Sequence, residues 1–345
     1  PPRPPPQAPP QPYPTAPGSP PGPARLAAHK PGAVPLRPLR LGDMYDAAFR
    51  ILRYNPKATV GAAVAVSTVA WALPVLLTVL LALTVGASFD LAAEDGGLSD
   101  AEASEFAAVL GQLGALVLGS FLQQIGLLFV TAVVVHVVAT AAVGRKIGLG
   151  EAWAATRGRR WRLVGMSLLL SLVSVLVLTV AVLLGVAAWA ATGDVLVTVL
   201  AGVLLGVLTL VVMVLFYVRV AYVAVPVLML EGPGILAALR RSAELTRSHF
   251  WRTFGIGLLT ALVAGVAGQV LAFPVSLVGQ LGAVAVDPAY QLVLLTIVQA
   301  IAGVLAAAFT APFTTAVTSL QYLDLRMRKE AFDVELMERA GLTTR

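Results

Sequence analysis

The chain has 345 residues, of which 58% are apolar and 12% are charged, and its formal net charge is +6. Charged residues make up about a quarter of a typical soluble domain, so this composition excludes an ordinary soluble protein and predicts one that crosses a membrane several times. The sequence contains no cysteine, which excludes disulfides, thiolate metal sites and cysteine nucleophiles.

The first 40 residues are rich in proline and contain 16 of the 23 prolines. Such a segment buries too little apolar surface to offset the entropy lost on ordering, so residues 1–40 are predicted to be a disordered tail with polyproline II character. Two roles stay open for it: a ligand for a partner that recognises proline, and a solvated tail, which the lack of a distinct motif favours. Because the sequence begins with Pro1 and not with Met, we expect further residues before it.

A short amphipathic helix, lying on the membrane surface, is predicted after the tail. Asp43 is a good N-cap, and Asn55 followed by Pro56 ends the helix. Asp46 and Arg50 have the i, i+4 spacing of a helical ion pair and lie on the polar side. The apolar stripe has the spacing i, i+3, i+4 and i+7 and consists of Tyr45, Ala48, Phe49 and Leu52.

Six apolar segments are long enough to cross a membrane as helices. The second contains 37 residues. As a single helix it measures about 55 Å, so it must tilt, break or project beyond a hydrocarbon core of roughly 30 Å. Gly202 and Gly206 give the fourth span one GxxxG pattern, a weak signal for helix pairing in a chain rich in glycine. We place the spans at residues 58–85, 107–143, 163–192, 195–218 and 253–283, and from the turn at Asp287-Pro288 to Tyr322.

The loop between the first two spans, residues 88–106, contains six acidic residues and no basic residue. Ser99 and Glu102 have the spacing of a capping box at the start of the second span. Calcium binding is the alternative reading, but the sequence lacks the alternating acids and glycine of a calcium-binding loop, so an acidic solvated loop is favoured.

The distribution of charge predicts the orientation in the membrane. All 24 Lys and Arg lie in residues 1–57, 144–162 and 231–252, at Arg219, or after residue 325, whereas the opposite loops hold eight acidic residues and no basic one. Because basic loops stay inside the cell, we expect a multi-pass protein of the plasma membrane with both termini in the cytoplasm. The six-span membrane domain is placed at residues 41–325 and a cytoplasmic C-terminal tail at residues 326–345.

Three basic segments share a pattern in which a short helix is followed by Trp or Pro, a basic residue, a glycine and a span. They cover residues 41–61, 149–165 and 233–255. The predicted fold is therefore an all-α membrane protein with six transmembrane helices, built as three repeats of an interfacial amphipathic helix plus a transmembrane hairpin. The alternative is that the short basic loops of any polytopic protein would look similar.

The polar residues of the even-numbered spans are the candidate site residues. Arg219 follows 24 uncharged residues. A charge at such a position is costly unless it pairs, faces water or reaches the headgroups, and no acidic residue lies in any span. His136, Arg219, Thr314 and Thr315 occupy comparable positions along their spans, so they are candidates for binding a lipid or lining a polar cavity. The alternative for Arg219 is a headgroup anchor, and for His136 a hydrogen-bonded structural role.

No catalytic or cofactor motif occurs in the sequence. It lacks HExxH, the GxSxG nucleophile elbow, a P-loop and a dinucleotide-binding fingerprint. The three histidines lie in three different environments, and none has an acidic neighbour in sequence. We therefore expect no enzymatic activity, no metal site and no cofactor.

Several motifs in the basic segments make the chain similar to an actinobacterial family, the membrane domain of glycerophosphoryl diester phosphodiesterase and its stand-alone relatives. The resemblance covers about residues 36–335. The phosphodiesterase domain fused to some members needs a barrel of about 250 residues with metal-binding His-Glu and His-Asp pairs, which this chain lacks, so the resemblance implies a membrane domain of unknown function and not an enzyme. The motifs are Leu39-Arg40-Leu41-Gly42-Asp43, Phe49-Arg50, Asn55-Pro56, Arg219, Glu231-Gly232, Arg240-Arg241-Ser242, Phe250-Trp251-Arg252 and Tyr322 to Glu330.

The sequence thus predicts a non-enzymatic scaffold or regulator with a basic cytoplasmic face. Its expected partners are anionic lipid headgroups at that face and a protein, bound in the membrane or through the proline-rich tail, and no nucleic acid. The alternative is a transporter or lipid-handling protein that uses the polar positions of the even-numbered spans, although the scarcity of charge within the spans disfavours coupled transport.

Overall fold

The computed structural model describes residues 38–93, 100–142 and 144–330, which are helices joined by short turns, with no strand among them. The predicted all-α class is confirmed. The α-helices are α1 (Leu41–Tyr54), α2 (Pro56–Ala93), α3 (Asp100–Ala142), α4 (Leu149–Ala155), α5 (Arg160–Thr192), α6 (Val195–Phe216), α7 (Ala224–Leu230), α8 (Ile235–Thr246), α9 (Phe250–Ala283) and α10 (Pro288–Glu330). A π-helical turn, Tyr217–Ala221, joins α6 to the segment before α7, and a 3₁₀ turn, Arg247–His249, joins α8 to α9.

Six helical segments of the described chain are long and apolar enough to cross a membrane, as predicted. The second span is one unbroken helix, α3, of 43 residues. At 1.5 Å per residue α3 measures about 65 Å, so it extends well beyond the hydrocarbon core or tilts strongly within it. The helix α10 continues beyond Tyr322, where the sixth span is predicted to end, as far as Glu330. Burial of Leu325 and Met327 and an ion pair from Arg326 to Glu330 stabilise this last part of α10.

The helices α2, α3, α9 and α10 pack together, and small residues lie at their crossings. A Cβ atom added to Gly303 of α10 would lie 2.6 Å from the Trp71 ring of α2, and one added to Gly279 of α9 would lie 2.2 Å from Val298. Glycine therefore allows these helix pairs to approach closely, as is common where helices pack within a bilayer. The Phe313 side chain, fully buried in α10, lies in the core of this bundle.

The helices α5 and α6 form a hairpin that packs on itself and is otherwise open along most of its length. No residue of α6 is buried, and the buried residues of α5 all lie between Leu163 and Leu170. A Cβ atom added to Gly202 or Gly206 would have no neighbour within 4 Å, so the GxxxG pattern makes no close helix contact among the described residues. The sharp turn of the hairpin is at Gly193, whose φ of 60° is left-handed.

The first helix begins three residues earlier than predicted, because its N-cap is Arg40 and not Asp43. The helix starts at Leu41, and the Asp43 carboxylate accepts a hydrogen bond of 3.0 Å from the backbone N–H of Arg40. The predicted ion pair is present, with 2.6 Å between Arg50 and Asp46. Phe49 is 41% exposed, although its ring contacts the Phe313 ring. The apolar face is rotated relative to the prediction because α1 packs against α10 and α2, and its buried residues are Met44, Ala47, Ala48, Ile51 and Leu52.

A short helix precedes each pair of long helices, in the order that the predicted repeat requires. The three short helices differ in length, with 14 residues in α1, 7 in α4 and 12 in α8. Only the second pair continues into a π-helical turn and a further helix, so the repeat itself stays a prediction. The predicted capping box at Ser99, the tail up to residue 37 and the C-terminal residues 331–345 lie outside the described residues.

Candidate functional site

The basic residues of the described chain gather in one part of the fold, which we name the basic layer. It consists of residues 39–57, 144–162, 217–252 and 322–330, and it holds every Lys and Arg that the structure describes. Most of the motifs that carry the family resemblance lie in it. Three sets of contacts connect its segments.

The first set surrounds Asp324, whose side chain is fully buried near the end of α10. The backbone N–H of Leu39 donates to Asp324 Oδ1 at 2.7 Å, and Arg252, at the start of α9, forms an ion pair with Oδ2. Arg328 Nε lies 3.0 Å from both carboxylate oxygens, and Arg252 also donates to the Leu39 carbonyl at 2.6 Å. We name this set the Asp324 clamp. Because a buried carboxylate is stable only when it is paired, the clamp connects the chain before α1 to α9 and α10.

The second set joins the end of α7 to α8 and α10. The Tyr322 hydroxyl donates to Glu231 Oε1 at 2.8 Å, and Arg241 Nε lies 3.2 Å from Glu231 Oε2. Arg241 also forms an ion pair with Glu330, and Arg326 Nε lies 2.9 Å from the other oxygen of that carboxylate. Two arginines and two glutamates therefore alternate, so each charge has neighbours of opposite sign.

The third set connects Arg159, just before α5, and Arg162, in its first turn, to the C-terminus of α7 and the turn after it. Arg159 donates to the carbonyl of Met229, and Arg162 donates to the carbonyls of Gly232 at 3.0 Å and Pro233 at 3.3 Å. Cationic groups are favoured at this end of a helix, where carbonyls are left without helical partners. Gly232 is required here, because its φ is 76° and a Cβ atom would lie 2.8 Å from the Arg159 guanidinium.

Arg219 lies on the π-helical turn that follows α6. The turn is closed by a hydrogen bond of 2.8 Å from the Tyr222 N–H to the Tyr217 carbonyl. The Arg219 carbonyl accepts a hydrogen bond of 2.9 Å from the hydroxyl of Thr246, a buried residue of α8. The Arg219 side chain itself is exposed. Such π-helical turns break the regular helix and often occur at functional sites.

The length of α6, which ends shortly before Arg219, is close to the thickness of a hydrocarbon core. Asp194 caps the other end of α6, with its Oδ1 accepting from the Leu196 N–H at 2.7 Å. Between them, α6 has 22 residues. That length is about 33 Å, close to the thickness of a hydrocarbon core. If α6 alone crosses the hydrocarbon core, Arg219 is at the level of the phosphate headgroups.

A groove with a volume of about 560 Å³ lies beside Arg219. Three arginines and a histidine line it together with apolar residues, and no Asp or Glu is among the lining residues. The Trp251 side chain is 78% exposed at this groove. The lining residues are Leu215, Arg219, Arg247, Ser248, His249, Phe250, Trp251 and Arg252. This arrangement can bind an anion, and we name it the arginine groove.

The other predicted site residues lie apart from the arginine groove. The Nδ1 atom of His136 lies 2.8 Å from the Ala132 carbonyl of its own helix, α3. Thr314 donates to the Thr310 carbonyl at 2.8 Å, one turn back along α10. The Thr315 hydroxyl lies 3.2 Å from that of Thr131, which joins α10 to α3. Each of these three residues makes a hydrogen bond that stabilises a helix or a helix pair.

Sequence reasoning did not place Arg247, Trp251 and Arg252 in the same groove as Arg219. The signal available for them was the basic loop that ends in Trp251-Arg252, a pattern typical of a membrane interface. Within the described ranges, no group of three or more His, Asp or Glu residues lies close enough together to hold a metal ion. The chemistry that the groove offers is therefore charge recognition by guanidinium groups.

Residues 194–340 match the model of one protein family, described as the membrane domain of glycerophosphoryl diester phosphodiesterase. The match begins at the cap of α6 and includes the arginine groove, but it does not reach the motifs near Leu39, so it is shorter than the resemblance predicted. No other domain is detected, and neither a curated protein nor a solved structure matches the chain. Over residues 194–340, the chain is therefore similar to the membrane domain of glycerophosphoryl diester phosphodiesterase.

Proposed function

We propose that this polytopic membrane protein is a non-enzymatic scaffold or regulator whose basic layer faces the cytoplasm and binds a protein partner. The observation that supports this most directly is that most charged motif residues contact one another instead of lining a cavity. The Asp324 clamp and the network around Glu231 hold segments from both ends of the described chain together. Paired and hydrogen-bonded networks of this kind fix the relative positions of the elements that they join.

Some basic side chains remain on the outside of this layer and are available to a partner. The Arg240 side chain is 84% exposed and that of Arg145 is 72% exposed. Because the backbone beneath them is held in place, these charges keep a fixed spacing. An acidic surface on the partner is the complementary chemistry. The proline-rich tail is a second proposed contact for a protein partner, and anionic lipid headgroups are proposed neighbours of the same layer.

The orientation is part of the proposal and has its own test. We expect both termini in the cytoplasm of a cell with this protein in its plasma membrane, because every basic loop lies on one side. The chain lacks cysteine, so single cysteines report one position each. A cysteine at Gly97 should be labelled by a membrane-impermeant maleimide in intact cells, and one at Ala340 should be labelled only after lysis. Labelling of Ala340 in intact cells would overturn the orientation.

The threefold repeat is likewise a proposal, supported by the order of elements. Each unit would consist of a short surface helix and the transmembrane hairpin after it, namely α1 with α2 and α3, α4 with α5 and α6, and α8 with α9 and α10. A shared ancestor would explain why a Trp or Pro followed by a basic residue lies in the first turn of the first helix of every hairpin.

Site-specific photo-crosslinking tests the scaffold proposal. A photoreactive residue placed at Arg240 or Arg145 should give a protein adduct of discrete mass in native membranes. The matched control is Gly193, in the turn at the opposite end of the α5–α6 hairpin, where no such adduct is expected. The same adducts from Gly193, or none from either basic position, would contradict the proposal.

A lipid-handling protein is the second candidate, and the arginine groove is the observation that favours it. Its arginines lie beside exposed apolar residues such as Leu215 and Trp251, so a headgroup and its acyl chains could both find a suitable surface. Transbilayer movement of a fluorescent phospholipid in proteoliposomes tests this candidate. Movement faster than in protein-free vesicles would support it, and equal rates would leave the scaffold as the better reading.

A further inference from the structure

We propose that the arginine groove is a binding site for a phosphate group, either in the headgroup of an anionic membrane lipid or in a soluble phosphate compound. This inference goes beyond the scaffold function, because it assigns a ligand to the groove whether or not a protein partner binds the basic layer.

Uncompensated positive charge is the first argument. Within the described residues, neither Arg219 nor Arg247 forms an ion pair or a side-chain hydrogen bond. Arg252 does have a partner, but it shares the single carboxylate of Asp324 with Arg328. Guanidinium groups that line one cleft raise its positive potential and attract an anion.

The chemistry of guanidinium selects the kind of anion. Arginine presents a planar fork of N–H donors that fits two oxygens of a phosphate or a carboxylate at once. The Ser248 hydroxyl also lines the groove, where it lies 3.0 Å from His249 Nδ1. Several donors that converge from separate segments suit a tetrahedral phosphate, which has oxygens in several directions.

The location of the groove is the second, independent argument. Arg219 lies about one hydrocarbon thickness from the cap of α6, at the level of lipid phosphates. Trp251 is 78% exposed there, and tryptophan is enriched at this level of a bilayer. The groove is also continuous with apolar surface, because Leu215 is 44% exposed and α6 has no buried residue. Acyl chains can therefore extend along α6 while the headgroup occupies the groove.

A simple anchoring role explains the groove less well than a binding site does. One arginine that reaches the headgroups needs no second arginine beside it, and such pairs repel each other when no anion is present. Arg240 illustrates the ordinary case, because it is exposed and pairs with Glu244 at 3.1 Å on the same helix. Arg219 and Arg247 share one groove and have no such carboxylate.

Native mass spectrometry of the full chain, delipidated in detergent, tests the proposal. The wild type, the double variant Arg219→Gln/Arg247→Gln and the control Arg53→Gln, at an exposed position of α1, are each titrated with phosphatidylglycerol. Loss of charged hydrogen bonds should weaken the first binding event by about tenfold or more in the double variant. The control removes one positive charge from the same layer and should leave that affinity within about twofold. Equal affinities in the wild type and the double variant would overturn the proposal.

A parallel titration with glycerol phosphate distinguishes the two sources of phosphate. If it binds with the same dependence on the two arginines, the site accepts a soluble phosphate compound, whereas binding of phosphatidylglycerol alone identifies a lipid headgroup. If both compounds bind, but neither affinity depends on Arg219 and Arg247, the proposed site is refuted.

Two further variants keep the proposal testable if the double variant folds poorly. Arg247→Gln changes one exposed side chain and should by itself weaken binding several-fold, so an unchanged affinity would count against the site. Arg219→Lys keeps the charge but loses the planar fork, and it should bind more weakly than the wild type. The crosslinking at Arg240 does not depend on these side chains, so failure of the phosphate site and failure of the scaffold proposal give separate results.

Discussion

The Asp324 clamp gives the sharpest prediction about stability, through the substitution Asp324→Asn. Asparagine keeps the shape of the side chain and one oxygen that can accept from the Leu39 N–H. It removes the negative charge, so Arg252 and Arg328 lie next to each other without a carboxylate between them. Both arginine side chains are about 30% exposed, whereas the Asp324 side chain is fully buried.

The magnitude follows from that burial. Removal of one partner from a buried ion pair costs about 3–5 kcal/mol, because the remaining charge stays desolvated. Water partly reaches the two arginines and screens their charges. We therefore expect the free energy of unfolding to fall by about 2–3 kcal/mol, at or just below the lower end of that range. A loss of that size lowers the melting temperature of a chain of this length by several degrees.

Thermal unfolding in detergent, followed by tryptophan fluorescence, measures the effect. The matched control is Asp46→Asn, the same change in an ion pair whose carboxylate is 65% exposed. Exposed i, i+4 pairs contribute about 0.3–0.5 kcal/mol, so the control should change the melting temperature little. The double variant Asp324→Asn/Arg252→Gln should recover part of the loss, because it removes one of the unpaired charges. If Asp324→Asn costs no more than Asp46→Asn, the reasoning about the buried clamp is wrong.

Three further predictions use the same measurement. Gly279→Ala should lower the free energy of unfolding by about 1–3 kcal/mol, because its Cβ atom would lie 2.2 Å from a neighbouring side chain. The control Gly282→Ala has open space around the new Cβ atom and should be neutral or slightly stabilising. Equal effects of the two changes would refute the close approach of α9 and α10. Phe49→Asp should lower stability more than Arg50→Asp, since the Phe49 ring packs on α10 and Arg50 faces solvent, and the reverse ranking would mean that the face of α1 is misassigned. Deletion of residues 1–35 should leave the melting temperature unchanged, and a clear drop would show that the tail packs on the membrane domain.

The sequence predicted the helices of this fold well where local signals mark their ends. The third span was placed at residues 163–192 and α5 covers Arg160–Thr192, because a basic loop precedes it and the turn at Gly193 follows it. At the end of α10, the polar but helix-forming residues after Tyr322 suggested a tail apart from the membrane domain. The buried Leu325 and Met327 show that tertiary packing continues the helix there.

The candidate site was only partly predictable. Arg219 was identified because a single charge after a long apolar segment is evident from the sequence alone. His136, Thr314 and Thr315 were grouped with it by their positions along the spans, yet each makes a hydrogen bond at its own helix or to the neighbouring one. Position along a helix does not specify which side of it faces a neighbour, so the grouping could not be checked without the fold.

Sequence by itself determined the class of protein, the number of spans and the segregation of charge, because these depend on the length and polarity of local segments. Only the tertiary structure decided which spans pack together and which charges meet. Lipid is as apolar as the side chains of a span, so the composition of α6 does not reveal that it stands apart while α10 is packed. Leu39 and Asp324 are separated by 285 positions in the chain, yet the Leu39 nitrogen lies 2.7 Å from Asp324 Oδ1 in the fold. Contacts of that range depend on how whole helices are arranged, and no local pattern encodes them.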